Sequence, residues 1–362
     1  MPIIIDAHQD LAWNYLTFHR DHRRSVKQIR AQEAGTPIPA RGGETMLGWP
    51  EYQQGGIAIV FATLFAAPIQ YQEGDWDTIC FKSSKDGLPV IRRQLDYYKM
   101  LAEESPDQYC LISDHKKFKE HLAAWENRIE NRNLPVGLVI SIEGADWLDD
   151  PRRLEEFRQA GIVNVMPVWA SGRFCGGNKE KGGFTRAGYE LLEIMQSLGF
   201  ALDLSHMNEK SALQAMDRYQ GVLIASHANC RSLLDDTDNE RHFTNVTIRC
   251  LIERGGVIGI VPFNRFLAPN WKESDPRHSV TLEHVIAHID HICQNAGNAQ
   301  HVGLGTDFDG GFGVPFVPEE LDTVADLSKL AYLLQQKGYS ETDISSILYK
   351  NWSRILENSL PR

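Results

Sequence analysis

Short hydrophobic runs alternate with amphipathic segments along most of this chain. Nine runs have the length and composition of buried strands. They cover residues 3–5, 57–65, 109–112, 136–142, 162–168, 200–204, 222–225, 256–261 and 301–306. Because nearly every run is hydrophobic throughout, the pattern predicts a parallel sheet that helices cover on both faces.

The segments between these runs carry the apolar spacing of helices. Predicted helices occupy residues 89–103, 114–131, 151–159, 184–198, 246–254, 282–295, 324–337 and 341–357. Pro89 fits the first turn of its helix, Asp114 fits an N-cap and Gly199 fits a C-terminal glycine. The polar stretch 19–45 is interpreted as helix and loop over the mouth of a barrel.

The strand count indicates the fold. Nine runs are one more than a closed (β/α)8 barrel needs, and run 109–112 is the weakest, so we place it outside the barrel. An open, doubly wound sheet is the alternative. It is disfavoured because polar residues end many strands along the whole chain, and no glycine-rich nucleotide motif is present. The prediction is one barrel domain over residues 1–362, with insertions between the first strands and a C-terminal helical segment.

Metal-binding residue types stand at the predicted ends of several strands. His8 and Asp10 lie two residues apart on an extended chain, so their side chains point to the same side. Glu143, His206 and His227 follow three later strands. Three imidazoles and two carboxylates are too many for one tetrahedral catalytic zinc, which must keep an open position.

These five residues suit two metal ions instead. A carboxylate has two oxygens, so Glu143 can bridge one ion held by His8 and Asp10 and another held by His206 and His227. A water shared by both ions would be deprotonated near neutral pH and give a hydroxide nucleophile. Each histidine taken alone is more often structural. The recurrence of Ser-His at two strand ends favours the metal hypothesis.

Composition narrows the function classes. The chain is 42% hydrophobic and 23% charged, as in ordinary globular proteins. Its net charge of -11, with no basic cluster, argues against nucleic acid or an anionic membrane as a partner. No apolar run approaches ~18 residues and no signal sequence is evident, so we expect a cytoplasmic protein. The six scattered cysteines are expected to be free thiols.

Seven short pieces, in order, give the chain a family resemblance. They are DAHQD, SIEGAD, DLSHMN, SHANCRS, ERHFTN, GGVIGIV and GTDFDG, found between Asp6 and Gly310. In this order they resemble the renal or membrane dipeptidase family of zinc metallopeptidases. The resemblance implies an amidohydrolase-type barrel, two zinc ions (other divalent metals being possible) and hydrolysis of dipeptides. It also implies that His8, Asp10, Glu143, His206 and His227 are the metal ligands.

Two further residues take roles from the resemblance. Arg241 matches the arginine that binds the substrate carboxylate, and a planar guanidinium can grip a carboxylate through two parallel hydrogen bonds. Asp307 matches the acid beside the bridging water. Next to cations it should stay ionised and could pass a proton to the leaving amine. Asp309 is the competing candidate for this role.

Trp169 departs from the family pattern, which usually has a histidine there to orient the substrate and stabilise the oxyanion. Three explanations remain open: Trp169 is a weaker donor, Arg173 replaces the histidine, or the substrate is not an ordinary dipeptide. The glycine-rich segment 171–183 that follows is interpreted as a lid over the site.

A zinc dipeptidase acting on a small-molecule substrate is therefore the leading hypothesis. One alternative is a binuclear hydrolase of the same fold that acts on an N-acyl amino acid, a cyclic amide or a lactone. A low-turnover, metal-stabilised binding protein is the other. All three hypotheses are compatible with a homodimer.

Overall fold

Eight parallel strands form the centre of the computed structural model, which describes residues 2–129, 132–170, 172–234 and 239–362. The strands are β1 (Ile4–Gln9), β2 (Ile57–Phe65), β3 (Val136–Glu143), β4 (Asn164–Met166), β5 (Ala201–Asp203), β6 (Leu223–Ile224), β7 (Ile258–Ile260) and β8 (Val302–Leu304). Their order is β7-β8-β1-β2-β3-β4-β5-β6. A single bridge between Ala225 and Ile258 joins the two ends. The predicted barrel is thus confirmed, and the open sheet is wrong.

The weakest predicted strand does lie outside this closed path. Tyr109–Leu111 pairs in parallel with the beginning of β3, with Tyr109 opposite Val136. A second small pairing, between Ala67–Pro68 and Cys80–Phe81, closes the loop that follows β2. This loop stands at the carboxyl end of β2, beside the mouth of the barrel.

Helices surround the barrel and also fill the insertion between β1 and β2. They are α1 (Leu11–Phe18), α2 (Val26–Glu33), α3 (Ile38–Gly42), α4 (Trp49–Gly55), α5 (Ser84–Glu104), α6 (His115–Glu126), α7 (Leu154–Gln159), α8 (Arg186–Ser197), α9 (Glu209–Arg218), α10 (Asn245–Glu253), α11 (Asn264–Leu267), α12 (Leu282–Ala296), α13 (Lys329–Gln336), α14 (Glu341–Ser345) and α15 (Asn351–Ser359). None of the helices in the described ranges is both long and apolar enough to cross a membrane.

Several helix boundaries differ from the prediction. Helix α5 begins at Ser84, so Pro89 lies inside it rather than in its first turn. A proline there removes one backbone hydrogen bond, which the long amphipathic helix tolerates because its apolar face is buried. Asp114 does cap α6, accepting from Lys117 N at 2.9 Å, but the helix ends at Glu126. The predicted end at residue 131 lies outside the described residues.

The helix predicted over residues 341–357 is divided in the structure. One turn of π-helix, Ser346–Lys350, separates α14 from α15. Helix α15 then packs Trp352 against the barrel, where its indole N–H donates to the Leu304 carbonyl at 3.0 Å. The segment thus covers the outside of β8 and closes the helical layer.

Two glycines, one within β7 and one just after β8, let the backbone at Ser226 approach the barrel strands closely. A Cβ atom at Gly259 or Gly305 would collide with the Ser226 carbonyl oxygen. The turn that carries His227 therefore packs directly on backbone, which fixes its position relative to the barrel wall.

Candidate active site

Three imidazoles and a glutamate meet at the carboxyl end of the barrel. His8 lies within β1 and Glu143 ends β3, whereas His206 and His227 each stand three residues after the last residue of β5 and β6. The Glu143 carboxylate lies at their centre. Its Oε2 is 3.3 Å from His8 Nε2, and its Oε1 is 3.2 Å from His206 Nε2 and 3.6 Å from His227 Nε2. The two oxygens thus face different histidines.

Asp10 and Asp307 complete the cluster on the His8 side. Asp10 Oδ2 and Asp307 Oδ1 each lie 3.7 Å from His8 Nε2. The structure therefore brings together all five residues predicted as metal ligands, together with the predicted acid Asp307. His206 and His227 also meet each other, with their Nε2 atoms 3.0 Å apart.

The donor set fits a metal ion. Two groups of three side chains, His8–Glu143–His227 and His8–Asp10–Asp307, have ligand atoms that all lie within 4.8 Å of one another. His8 Nε2 and Asp10 Oδ1 are buried and have no hydrogen-bond partner among the described residues. Buried polar atoms of this kind are normally satisfied, and imidazole with carboxylate is a donor set that zinc accepts. Both groups contain His8, so they do not define two independent ion positions.

Burial and mutual charge set the protonation of the cluster. Burial, with the positive charge of His8, lowers the pKa of His227 well below its usual value. Burial and the Arg241 charge lower the pKa of His206 to about 4. Burial opposes ionisation of Glu143, but the charge of His8 and bonds from the other histidines hold its pKa well below normal. Two neutral imidazoles and an ionised carboxylate are the forms that bind metals.

The pKa values of His8 and Asp307, in contrast, are raised in the same cluster. Burial disfavours the charge on His8, yet the Glu143 carboxylate beside it raises the pKa of His8 well above its usual value. Burial raises the pKa of Asp307 well above normal, and Asp10 and Glu143 add to the effect. The sequence analysis expects Asp307 to be ionised because metal cations lie beside it. That expectation concerns the metal-loaded site and stays a prediction.

A buried aspartate that the sequence analysis missed positions both Ser-His turns. Asp203 Oδ1 accepts hydrogen bonds from Ser205 N and Ser226 N, each at 3.0 Å. The Ser226 hydroxyl in turn lies 2.8 Å from His227 Nδ1. A partner on the second ring nitrogen fixes the orientation and tautomer of a histidine. The Asp at the end of β5, just before the first Ser-His pair, was the available signal.

We expect Asp203→Ala to lower the free energy of unfolding by about 2–4 kcal/mol, because two buried N–H groups lose their acceptor. Activity should also fall by about 10- to 100-fold through misplacement of the histidines. Chemical denaturation and kcat/KM measure the two effects. Asp217→Ala is the control, since its side chain is 79% exposed. A variant at position 203 with wild-type stability would contradict the positioning role.

Two site residues adopt left-handed backbone conformations that non-glycine residues rarely use. His206 has φ of 64° and Asp307 has φ of 57°. Such residues persist only where the surrounding structure holds them, and they concentrate at functional sites. Here Asp307 N donates to the His8 carbonyl at 3.1 Å, and the His206 carbonyl accepts from Asn178 N at 2.9 Å.

The structure distinguishes Asp307 from its competitor. Asp307 lines the cavity next to the cluster. The Asp309 side chain is fully buried elsewhere, where it accepts from Met46 N at 2.9 Å and from the Thr45 hydroxyl. Arg20 lies 3.7 Å from it. Asp309 therefore anchors the insertion between β1 and β2 and has no free oxygen facing the cluster.

Two cavities open on either side of His206. One, here called the aromatic cavity, is lined by residues that include Asp10, Glu143, Trp169 and Asp307. Its empty volume is about 610 Å³ and is open to solvent. The other, here called the arginine cavity, includes Arg241. His206 lines both, so the cluster lies where they meet.

The side chain of Arg241 is buried in the arginine cavity. Neither Nη1 nor Nη2 has a hydrogen-bond partner within the described residues, and only 4% of the residue is exposed. The guanidinium lies over the Phe266 ring, 5.3 Å from its centroid. Burial lowers the pKa of Arg241, while the Asp307 charge acts in the opposite direction. A free, buried guanidinium fork is suited to a carboxylate ligand.

Trp169 points into the aromatic cavity and Arg173 does not. The Trp169 ring contacts the Phe65 and Tyr71 rings at centroid distances of 5.1 and 5.7 Å and lies 6.2 Å from His206. Arg173 donates to the Leu148 carbonyl at 2.9 Å and lines a different depression. The guanidinium of Arg173 is therefore not in the position to replace the family histidine.

The segment predicted as a lid is tied to the strand-end loops. Ser171 lies outside the described residues. Gly177 bridges to Met207, and Asn208 Nδ2 donates to the carbonyls of Glu180 and Gly182 at 2.9 and 3.0 Å. The segment lines the arginine cavity through Asn178 and Lys179. The lid interpretation stays a prediction, with these bonds as the contacts that opening would break.

Known proteins resemble this chain over most of its length. The family model described as "Membrane dipeptidase (Peptidase family M19)" matches residues 1–360. An uncharacterized protein of the pqqA 5′ region of Klebsiella pneumoniae is 32% identical over 75% of this chain and 97% of its own length. Dipeptidase VerJ of Clonostachys rogersoniana is 29% identical over 84% of this chain and 74% of its own.

Solved structures share the fold over their whole length. The metallopeptidase named dipeptidase AC superimposes with a TM-score of 0.76 at 23% identity, covering 100% of this chain and 99% of its own. A Rhodobacter sphaeroides metallopeptidase, solved with a phosphinate mimic of the dipeptide L-Ala-D-Ala, gives 0.76 at 21% identity, covering 99% and 100%. At these identities the likeness is one of fold.

Proposed function

Because the chain belongs to the membrane dipeptidase family and is a metallo-dipeptidase of that family, we propose that it hydrolyses dipeptides at a two-zinc centre built on Glu143. The observation that carries this proposal is the division of the Glu143 oxygens, one facing His8 and the other facing His206 and His227. A carboxylate placed in this way can ligate two ions at once. His8 and Asp10 would complete one site, and His206 and His227 the other.

When bound, the zinc ions would polarise the scissile carbonyl and lower the pKa of the attacking water. The remaining groups would bind the substrate and move its protons. Arg241 would hold the C-terminal carboxylate in the arginine cavity, which places the scissile bond beside His206. Asp307 would take the proton from the water and give it to the leaving nitrogen.

The atoms of the reaction balance with water as the only co-substrate. A C–O bond forms at the carbonyl carbon, and the C–N bond of the peptide breaks after the tetrahedral stage. The water proton reaches the departing amine through Asp307. The products are two free amino acids, and no oxidant or reductant is involved.

The aromatic cavity supports a second candidate function. Trp169 supplies a large ring where the family usually has a histidine, and it lines this cavity together with Glu143 and Asp307. A hydrolase of the same fold acting on an N-acyl amino acid, a cyclic amide or a lactone would retain the metal residues and Asp307. Such a substrate would place an acyl group, rather than an amine, beside the tryptophan.

A substrate panel tests the proposal against this alternative. The zinc-loaded protein would be incubated with L,L and L,D dipeptides, N-acyl amino acids, cyclic dipeptides and lactones, and products would be separated by chromatography. We expect release of free amino acids from at least one dipeptide series. Turnover confined to the N-acyl, cyclic or lactone compounds would favour the alternative, and no turnover on any compound would reject both.

We expect Trp169→His to lower kcat/KM on the native substrate about tenfold, because a smaller side chain opens the cavity wall next to the reacting bond. Trp169→Phe keeps an aromatic wall but loses the indole N–H, so it should retain most of the activity. If the histidine variant were more active and the phenylalanine variant inactive, Trp169 would be a hydrogen-bond donor and not a wall.

A further inference from the structure

The aromatic cavity has a wall whose chemistry the proposed reaction does not use. Five rings line it, from Trp13, Phe65, Tyr71, Trp76 and Trp169. Two carboxylates, Glu73 and Asp77, stand among these rings. Neither lies at a strand end, and both belong to the loop that the pairing of Ala67–Pro68 with Cys80–Phe81 closes. The wall thus combines aromatic faces with negative charge.

Asp77 is the central feature of this wall. It is only 5% exposed, and its Oδ1 atom has no hydrogen-bond partner among the described residues. Its Oδ2 receives only a long bond, 3.4 Å, from Glu73 N. A buried carboxylate oxygen without a partner is costly unless a ligand satisfies it. Because Asp77 lines the cavity, such a ligand can reach it from the cavity side.

Positive charge is missing from the lining itself. The described lining residues include no lysine or arginine, whereas they include five carboxylates, Asp10, Glu73, Asp77, Glu143 and Asp307. Three of these would be committed to the metal cluster and its proton transfer. Partial burial and the nearby charge of Asp77 raise the pKa of Glu73, while the charge of Lys179 acts in the opposite direction.

The rings of the wall do accept cations. Lys179 Nζ lies 4.8 Å from the Tyr71 centroid and 5.6 Å from the Trp169 centroid. The Arg41 guanidinium lies 5.7 Å from the Trp76 centroid. No ion pair joins either of these cations to Glu73 or Asp77 within the described residues. Cation–π contacts of this kind add to the attraction that a carboxylate exerts.

Resting on the proposed function, we infer that the aromatic cavity binds the side chain of a cationic N-terminal residue, with Asp77 and Glu73 as its counter-ions. The orientation follows from the two cavities. Arg241 would hold the C-terminal carboxylate on one side of His206, so the N-terminal residue lies on the other side, in the aromatic cavity. A dipeptide beginning with arginine or lysine fits this arrangement, because both carry a positive charge at the end of a long apolar stem.

Arginine and citrulline give a matched pair of probes, since they share shape and differ in charge. We expect kcat/KM for Arg-Ala to exceed that for citrullyl-alanine about tenfold, the size of one charge-assisted hydrogen bond. Asp77→Asn should reduce this ratio to nearly one. Glu73→Gln should reduce it in part and, because residue 73 is exposed, should not disturb folding. Asp75→Asn is the control: it removes the same charge from the same loop but does not line the cavity.

A ratio near one in the wild type would overturn the inference. So would a ratio that Asp77→Asn leaves unchanged while both rates fall, because Asp77 would then bind the α-amino group common to both substrates. Calorimetric binding of free arginine and citrulline supplies a readout without turnover. Tighter binding of arginine, lost in Asp77→Asn, would support the cavity assignment even if no dipeptide were cleaved, and equal binding would reject it.

Discussion

Glu143→Gln is expected to abolish measurable turnover, with a loss of at least about a thousandfold in kcat. The amide keeps the size of the carboxylate but loses its charge and one acceptor oxygen, so it cannot ligate two cations. Wild-type protein supplied with zinc should hold two ions per chain by elemental analysis, and the variant should hold fewer.

The control for this experiment is Glu193→Gln, an exposed glutamate on α8 that makes the same chemical change far from the cluster. Its zinc content and activity should match the wild type. A wild type that saturates at one zinc would remove the bridging role of Glu143. A variant that keeps two ions and its activity would place the bridge on another residue.

Arg241→Lys is expected to lower kcat/KM by about 10- to 100-fold on substrates with a free C-terminal carboxylate. An ammonium retains the charge but cannot reproduce the two parallel hydrogen bonds of a guanidinium. Amidation of the substrate should cause a similar loss in the wild type and little further loss in the variant.

Arg265→Lys serves as the matched control, because Arg265 lines the same arginine cavity but is exposed at its rim. It should change kcat/KM by less than about threefold. Equal wild-type rates on free and amidated substrates would contradict the role of Arg241, whatever the variants do.

The sequence predicted the barrel and the cluster for the same physical reason. Parallel strands present their carboxyl ends at one edge, so His8, Glu143, His206 and His227 had to meet if the runs preceding them were neighbouring strands. The period and apolar content of those runs are local properties, and they can be read without knowing the pairing. Asp307 followed from the same logic, because it comes directly after the last run.

Other features depend on long-range packing that a local pattern does not contain. Asp203 looks like one more strand residue until the structure places the N–H groups of Ser205 and Ser226 on its carboxylate. The sequence left Asp309 as a competitor of Asp307, and the structure separates them because Asp309 is bonded to Thr45 and Met46 whereas Asp307 lines the cavity. Pro89 was placed by a local rule, and the buried face of α5 outweighed that rule.

The loop closed by the pairing of Ala67–Pro68 with Cys80–Phe81 is built separately from the barrel sheet. Its two strands pair with each other and, in the described part of the chain, with no strand of the barrel sheet. His227, in contrast, sits on a turn packed against the glycines of the barrel wall. Exchange of the loop between relatives should therefore transfer substrate preference while the metal cluster and the barrel remain as they are.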